Sequence, residues 1–169
     1  MAARKAARGP RRRARASTPT SRPAPPETSV EGLDERVGAI VEAVARVARD
    51  PGSPVGRLER ALGILLDAYT DESSGLSTTL LEGWLRAQRD KQYRLRLAWQ
   101  REQLRLLFQD ILAEGAVRGV FRSGLDSGAV AAIIVGAAEG CLLQSAMEGG
   151  AVGPAELARA IVALTLRGA

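Results

Sequence analysis

The 169-residue chain contains no histidine and a single cysteine, Cys141. Without imidazole there is no Ser–His or Cys–His nucleophile pair, no histidine general base and no histidine metal ligand. One thiol permits no intrachain disulfide, and its place inside an apolar stretch marks it as a buried thiol, in keeping with a reducing compartment. No run of alternating hydrophobicity bounded by hairpin turns occurs, so strands are not expected. With no strand there is no strand–loop–helix phosphate cradle. Asp67, Asp71 and Glu72 fall on one helix face, and a solvated helix end accounts for them better than acid–base work. The sequence therefore predicts a protein that is not an enzyme, with no cofactor and no metal site.

From Met1 to Ser29 there is no Val, Ile, Leu, Phe, Tyr or Trp, and there are five prolines. Such a segment has nothing to place in a core, which predicts a disordered basic tail over residues 1–29. It holds eight Lys/Arg against one acid, whereas the other 140 residues hold sixteen basic and eighteen acidic side chains. The formal charge of +5 thus belongs to the tail, and the body is slightly acidic. The Arg8–Ala16 run can contact phosphate by counterion release, without sequence preference, although a merely solvated tail explains it better. The Ser-, Ala- and Arg-rich composition is also that of a removable organellar leader, and it has no apolar core of a secretory signal. Residues 30–169 suffice for one domain with one core.

That body reads as about six helices. Val30, Leu33, Val37, Ile40, Val41 and Val44 recur at helical spacing up to the break at Pro51, and a capping box is expected at Thr28–Glu31. Ser53 followed by Pro54 predicts the start of a second helix through Leu58, Leu62, Leu65, Leu66 and Tyr69, ended by Glu72–Gly75. A third is expected from Ser77 or Thr78 to about Arg89. A fourth and longer one runs from about Asp90 to Arg118, with Leu97, Leu104, Leu107, Phe108, Ile111 and Leu112 inward. After a turn at Ser123–Asp126, with Asp126 as cap, the fifth extends from about Ser127 to Glu148. The last begins at Pro154.

The fifth helix organises the rest. Ten consecutive apolar or glycine residues, Ala129–Ala138, leave it no wet face, so it needs neighbours on several sides. Ten residues are too few to cross a bilayer, which takes about 20. Its small residues, among them Gly136 and Gly140, allow close approach of another backbone. Either it is the central core helix of a monomer or a second copy of the chain covers its remaining face. On the second reading the homodimer contacts are Val130, Ile134, Ala138, Cys141 and Leu142 on this helix, and Leu157, Ile161 and Leu164 on the last one.

The pattern Gly119-Val-Phe-Arg-Ser-Gly-Leu-Asp126, followed by a small, apolar helix ending Glu-Gly-Cys-Leu-Leu-Gln144, resembles the C-terminal domain of TetR-like transcriptional regulators. Gly119, Phe121, Arg122, Leu125, Asp126, Gly140 and Gln144 carry the likeness, which spans Val30 to Ala169 in helix order. The resemblance implies an all-α ligand-binding and dimerisation domain, cytoplasmic and not membrane-bound, that senses a small apolar effector between its middle helices. Trp84, Gln88, Trp99, Gln103 and Phe108, apolar and amide groups on two adjacent helices, are the pocket candidates, with Tyr93 among them, although core packing alone explains Trp84 and Phe108.

The helix-turn-helix domain with which such regulators read DNA is not found ahead of this body. Ser29–Val37 is similar to the family's junction between the two domains, so Met1–Thr28 stands where the reader should be. A frameshift or misplaced start, a natural regulator without a reader, and a different helical dimer or interaction protein remain as explanations. On this reading DNA is met only non-specifically through the tail, or through a full-length partner.

Overall fold

Helix starts and stops written into the sequence set the order of the elements. The computed structural model describes residues 30–148 and 153–166. The expected tail, its arginine run and the Thr28–Glu31 capping box lie outside those described residues or rest on them. Among the described residues six α-helices follow one another: α1 (Val30–Arg49), α2 (Pro54–Thr70), α3 (Leu76–Ala87), α4 (Lys91–Val117), α5 (Ser127–Glu148) and α6 (Pro154–Thr165), with one 3-10 turn at Glu72–Ser74. Among the described residues there is no strand, only an isolated antiparallel bridge between Phe121 and Leu166.

The caps explain the boundaries. Ser53 Oγ accepts from Gly56 N at 3.1 Å, and Pro54 opens α2. Asp90 accepts from Gln92 N at 2.9 Å and from Tyr93 N at 3.4 Å, which satisfies two of the free donors at the start of α4. Asp126 does the same for α5, accepting from Ala129 N at 3.0 Å. Only α3 departs from its expected start, beginning at Leu76 because Gly75, at φ +64°, turns the chain in the left-handed region.

Helix α2 is the axis of the bundle. It packs against α1, α4, α5 and α6, and so Leu58, Ala61, Leu62, Leu65 and Leu66 are fully buried along one broad face. Leu33, Val37 and Val44 of α1, and Leu104, Phe108, Ile111 and Leu112 of α4, close the same core. Burial of one large apolar side chain stabilises by roughly 1.5–3 kcal/mol relative to exposure, so this layer carries most of the cohesion. One cation is buried with it. Arg57 is 6% exposed, donates from Nη1 to the Ala48 carbonyl at 2.8 Å and pairs with Glu114 at 2.5 Å, joining α1, α2 and α4.

The turn after α4 is pinned from both ends. Val120 N and Phe121 N both donate to the Gly115 carbonyl, at 3.0 and 3.3 Å, and Arg122 N donates to Thr165 O at 3.1 Å. Phe121, 1% exposed, is thereby held over Gly115 while α6 is tied to the same turn. Gly119, at φ +70°, supplies the reversal.

Helix α5 rests on α2, α3 and α4 through Ala131, Ile134, Val135, Ala138 and Leu142, all 2% exposed or less. Its ten-residue apolar core is short for a bilayer, but Ser127–Met147 as a whole is long and apolar enough to cross one by length and composition. Only 28% of that stretch is buried in the chain, so the packed inward face, with Glu139 paired to Arg101 of α4, accounts for part of its apolarity and leaves an apolar side open.

Candidate functional site

Three helices frame a cleft because small side chains stand where large ones would fill it. The α3–α4 hairpin is fixed by Arg86, whose guanidinium lies 4.5 Å from the Tyr93 ring centre and 3.6 Å from Asp90. Gly83 lets α3 approach α1 closely, since a Cβ there would sit 3.2 Å from Leu33 Cδ2. With the hairpin so placed, Trp84 and Ala87 of α3 face Leu97, Ala98 and Arg101 of α4 and Gly136, Glu139 and Gly140 of α5, around a space of about 510 Å³. A Cβ added at Gly136 or Gly140 would meet nothing within 4 Å, so the missing side chains are what leave the space open.

Arg101 and Glu139 bridge the floor of the cleft. Arg101 Nε donates to Glu139 Oε1 at 2.8 Å, and Arg101 Nη2 donates to Oε2. The pair is unequal in exposure: the arginine side chain is 59% exposed, the glutamate 13%. The hydrogen bond it donates to Glu139 holds the Arg101 guanidinium above its ordinary value. Beyond the pair the trench continues along Ala98, Arg105, Ala132 and Val135 for about 360 Å³. Adjoining the cleft, and sharing Trp84, Leu97, Arg101 and Glu139 in its lining, lies a small inner cavity of about 20 Å³ that Tyr69, Leu80, Gln100 and Leu104 also wall.

The polar groups of this inner cavity are few. Gln100, 3% exposed, donates from Nε2 to Asp34 Oδ1 at 2.9 Å, which fixes the orientation of the amide. Its Oε1 is buried and accepts no hydrogen bond. Burial first, and the negative Glu139 second, push the Tyr69 phenol well above its ordinary value, so it stays neutral. No group of three or more His, Cys, Asp or Glu side chains able to hold a metal occurs among the described residues.

Of the five residues singled out from sequence, Trp84 alone lines the cleft and the inner cavity. Gln88 is exposed beyond the end of α3, Trp99 is 59% exposed on the outer side of α4 and Phe108 is fully buried in the main core. Gln103 is half-buried, on neither the cleft nor the cavity wall, and Tyr93 is buried under Arg86. Arg101, Glu139, Gln100 and Tyr69 were not singled out. The signal for Glu139 was present, since it is the one charged residue between Asp126 and Glu148 and a carboxylate in so apolar a helix requires a partner.

The residues expected to meet a second chain divide in the same way. Ile134, Ala138 and Leu142 point into the chain's own core and are closed to a partner by that packing. Val130, Cys141, Leu157 and Ile161 are partly buried against the core, and Leu164 is 69% exposed. Partial burial pushes the Cys141 thiol upward, on a side chain that is half-buried rather than enclosed as expected. The open side of α5 is instead Ala129, Ala132, Ile133, Gly136, Leu143 and Met147, with Ile133 67% and Met147 77% exposed.

The family model for the C-terminal domain of BetI-type transcriptional repressors matches residues 54–168. The match begins at Pro54, so α1 lies outside it although it packs into the same core. No curated protein and no solved structure was found to match the chain. An all-α bundle of this helix order, with the motif at Gly119–Asp126 leading into α5, thus has its family: the chain belongs to the TetR-type transcriptional regulators, with residues 54–168 as their C-terminal domain.

Proposed function

We propose that this domain binds a small, largely apolar effector in the cleft between α3, α4 and α5 and pairs with a second copy of itself through the open side of α5. The observation that carries the first half is the cleft itself: an apolar trench with a few convergent polar groups is the usual form of a small-molecule site. Trp84 and Leu97 supply its apolar walls, and Arg101 and Glu139 its polar floor. Support for the second half is the stripe Ala129, Ile133, Gly136, Leu143 and Met147, apolar and uncovered in the single chain. A contact of standard size buries roughly 1,200–2,000 Å² in total, and exposed apolar residues of α6 such as Leu164 are further surface available to it.

Trp84 makes the effector site readable. Tryptophan emission should respond when an apolar ligand enters, and the response should vanish in Trp84→Phe while surviving in Trp99→Phe. Ligands that raise the melting temperature yet perturb only Trp99 would put the site elsewhere. Pairing is tested by sedimentation of Ile133→Arg. This variant should be folded and monomeric at tens of micromolar, and an unchanged dimer would remove α5 from the interface.

A further inference from the structure

Polar groups left over inside the bundle narrow the class of effector. Two side chains that carry acceptors, Gln100 and Glu139, line the inner cavity. Gln100 Oε1 is buried with no donor, while one of the amide's two N–H donors is taken by Asp34. The Glu139 carboxylate, acceptor-only when ionised, is bonded by Arg101 alone among the hydrogen bonds seen at it. Around these acceptors stand the rings of Trp84 and Tyr69, whose faces attract cations.

The two ends of the Arg101–Glu139 pair differ in how they are held. Glu139 belongs to a rigid helix and is mostly buried; Arg101 reaches in from a side chain that is 59% exposed. Removing a cation from a buried carboxylate is costly, whereas exchanging one cation for another leaves the charge compensated. A neutral or anionic ligand that displaced Arg101 would leave Glu139 unpaired. A cationic one would not.

Size fixes the kind of cation. A space of about 20 Å³ is near that needed for one water, roughly 10–15 Å³ of probe-occupied volume. An –NH₃⁺ group fits such a space and a trimethylammonium group does not. Only the former also has N–H donors for Gln100 Oε1.

We infer that the inner cavity is a seat for a primary ammonium group: an alkylamine effector displaces Arg101 from Glu139, donates to Gln100 Oε1, and lays its apolar chain in the cleft against Trp84 and Leu97. This rests on the cleft being the effector site, as proposed above. The neutral Tyr69 phenol adds no competing negative charge. Arg101 is in this scheme the occupant of the empty state, swung outward into solvent when the amine binds.

The test uses the full chain at neutral pH with four probes of one chain length: octylamine, octanol, octanoate and octyltrimethylammonium, followed by Trp84 emission and calorimetry. Octylamine should bind about tenfold or more tighter than octanol, the size expected of a charge-assisted hydrogen bond. Glu139→Gln should bring the two within about threefold. Arg101→Ala should tighten octylamine, because the internal competitor is gone, and octylamine but not octanol should restore the melting temperature that this variant loses. A purely structural role for the pair would not produce that tightening or that selective rescue, so the test stands even where Glu139→Gln fails to fold. Equal binding of octanol or octanoate would overturn the ammonium seat and leave the cleft as effector site. Octyltrimethylammonium binding as tightly as octylamine would overturn it too. If none of the four probes altered Trp84 emission, the cleft reading itself would fall.

Discussion

Gly115→Ala should destabilise the domain although it replaces the residue that α-helices tolerate worst, proline apart. In an open helix interior the change is worth about 1 kcal/mol in favour of alanine. At Gly115 the new Cβ would stand 2.1 Å from Phe121 Cδ2 and 2.2 Å from Cε2, where carbon atoms normally rest about 3.5–4.0 Å apart. The ring must move by more than an ångström. It has nowhere near to go, being 1% exposed on a turn tied to Gly115 O on one side and to Thr165 O on the other. Forced overpacking of this kind costs typically 1–3 kcal/mol and at times more, and expelling a phenylalanine ring entirely costs about 3–5 kcal/mol. After the propensity gain a net loss of about 2 kcal/mol is expected, or roughly 4–8 °C in melting temperature for a chain of this length. Gly38→Ala, in the middle of α1 with nothing within 4 Å of the added atom, is the matched control and should stabilise by up to about 1 kcal/mol. Urea unfolding of both variants at one fixed protein concentration reads the difference, since any pairing of chains makes stability concentration-dependent. Equal effects of the two alanines would refute the account of Phe121 as a ring pinned on Gly115.

Three further outcomes follow from side chains already placed. Arg57, by hydrogen bond and then by charge, holds the Glu114 carboxyl below its ordinary 4.5; the stability this contributes is present above that value and lost as pH falls through the lower folded value, so Glu114→Gln should flatten the acid limb of the pH–stability curve. The Tyr69 phenol is raised, so its contribution holds below about pH 10 and is lost as pH rises beyond it; Tyr69→Phe should make alkaline unfolding less steep. Ile134→Arg places a charge in the core and should unfold the domain by circular dichroism, whereas Ile133→Arg, one residue along, should leave the helical signal intact.

Helix positions were legible because each boundary carries its own chemistry. Ser53 with Pro54 and Asp126 announce two helix starts, and the cap bonds expected of them are present; Asp90, where a third start was placed, caps its helix as well. Rotation of α5 about its own axis was not legible, for a physical reason. A helix that is apolar all round has no polar stripe to mark its outer side, so Ile134 and Ile133 are indistinguishable by composition. Only the packing of α2, α3 and α4 decides between them. The site failed to show for a related reason. Aromatics drew notice to Trp99 and Phe108, but one serves the outer surface and the other the main core. What shapes the cleft is absence of side chain at Ala87, Ala98, Gly136 and Gly140, and small residues at helical spacing announce close packing as readily as empty space.

Helix α5 carries three jobs on three sides: Ile134, Ala138 and Leu142 face the core, Glu139 faces the cleft, and Ile133 and Met147 face outward. Gly136 and Leu143 belong to two of these at once, lining the cleft while open to solvent. An effector that releases Arg101 from Glu139 therefore acts on the same helix that would meet a second chain. If both events act through α5, linkage makes them reciprocal: whatever factor the effector applies to pairing, pairing applies to effector affinity. The sign can be read without knowing the natural effector. In Arg101→Ala the bridge is already open, so its dimer dissociation constant, compared with that of the unaltered chain, measures how much of the pairing depends on the bridge. A constant unchanged within twofold would mean that the cleft and the outer face of α5 are independent, and that a signal from effector to partner must travel through another helix.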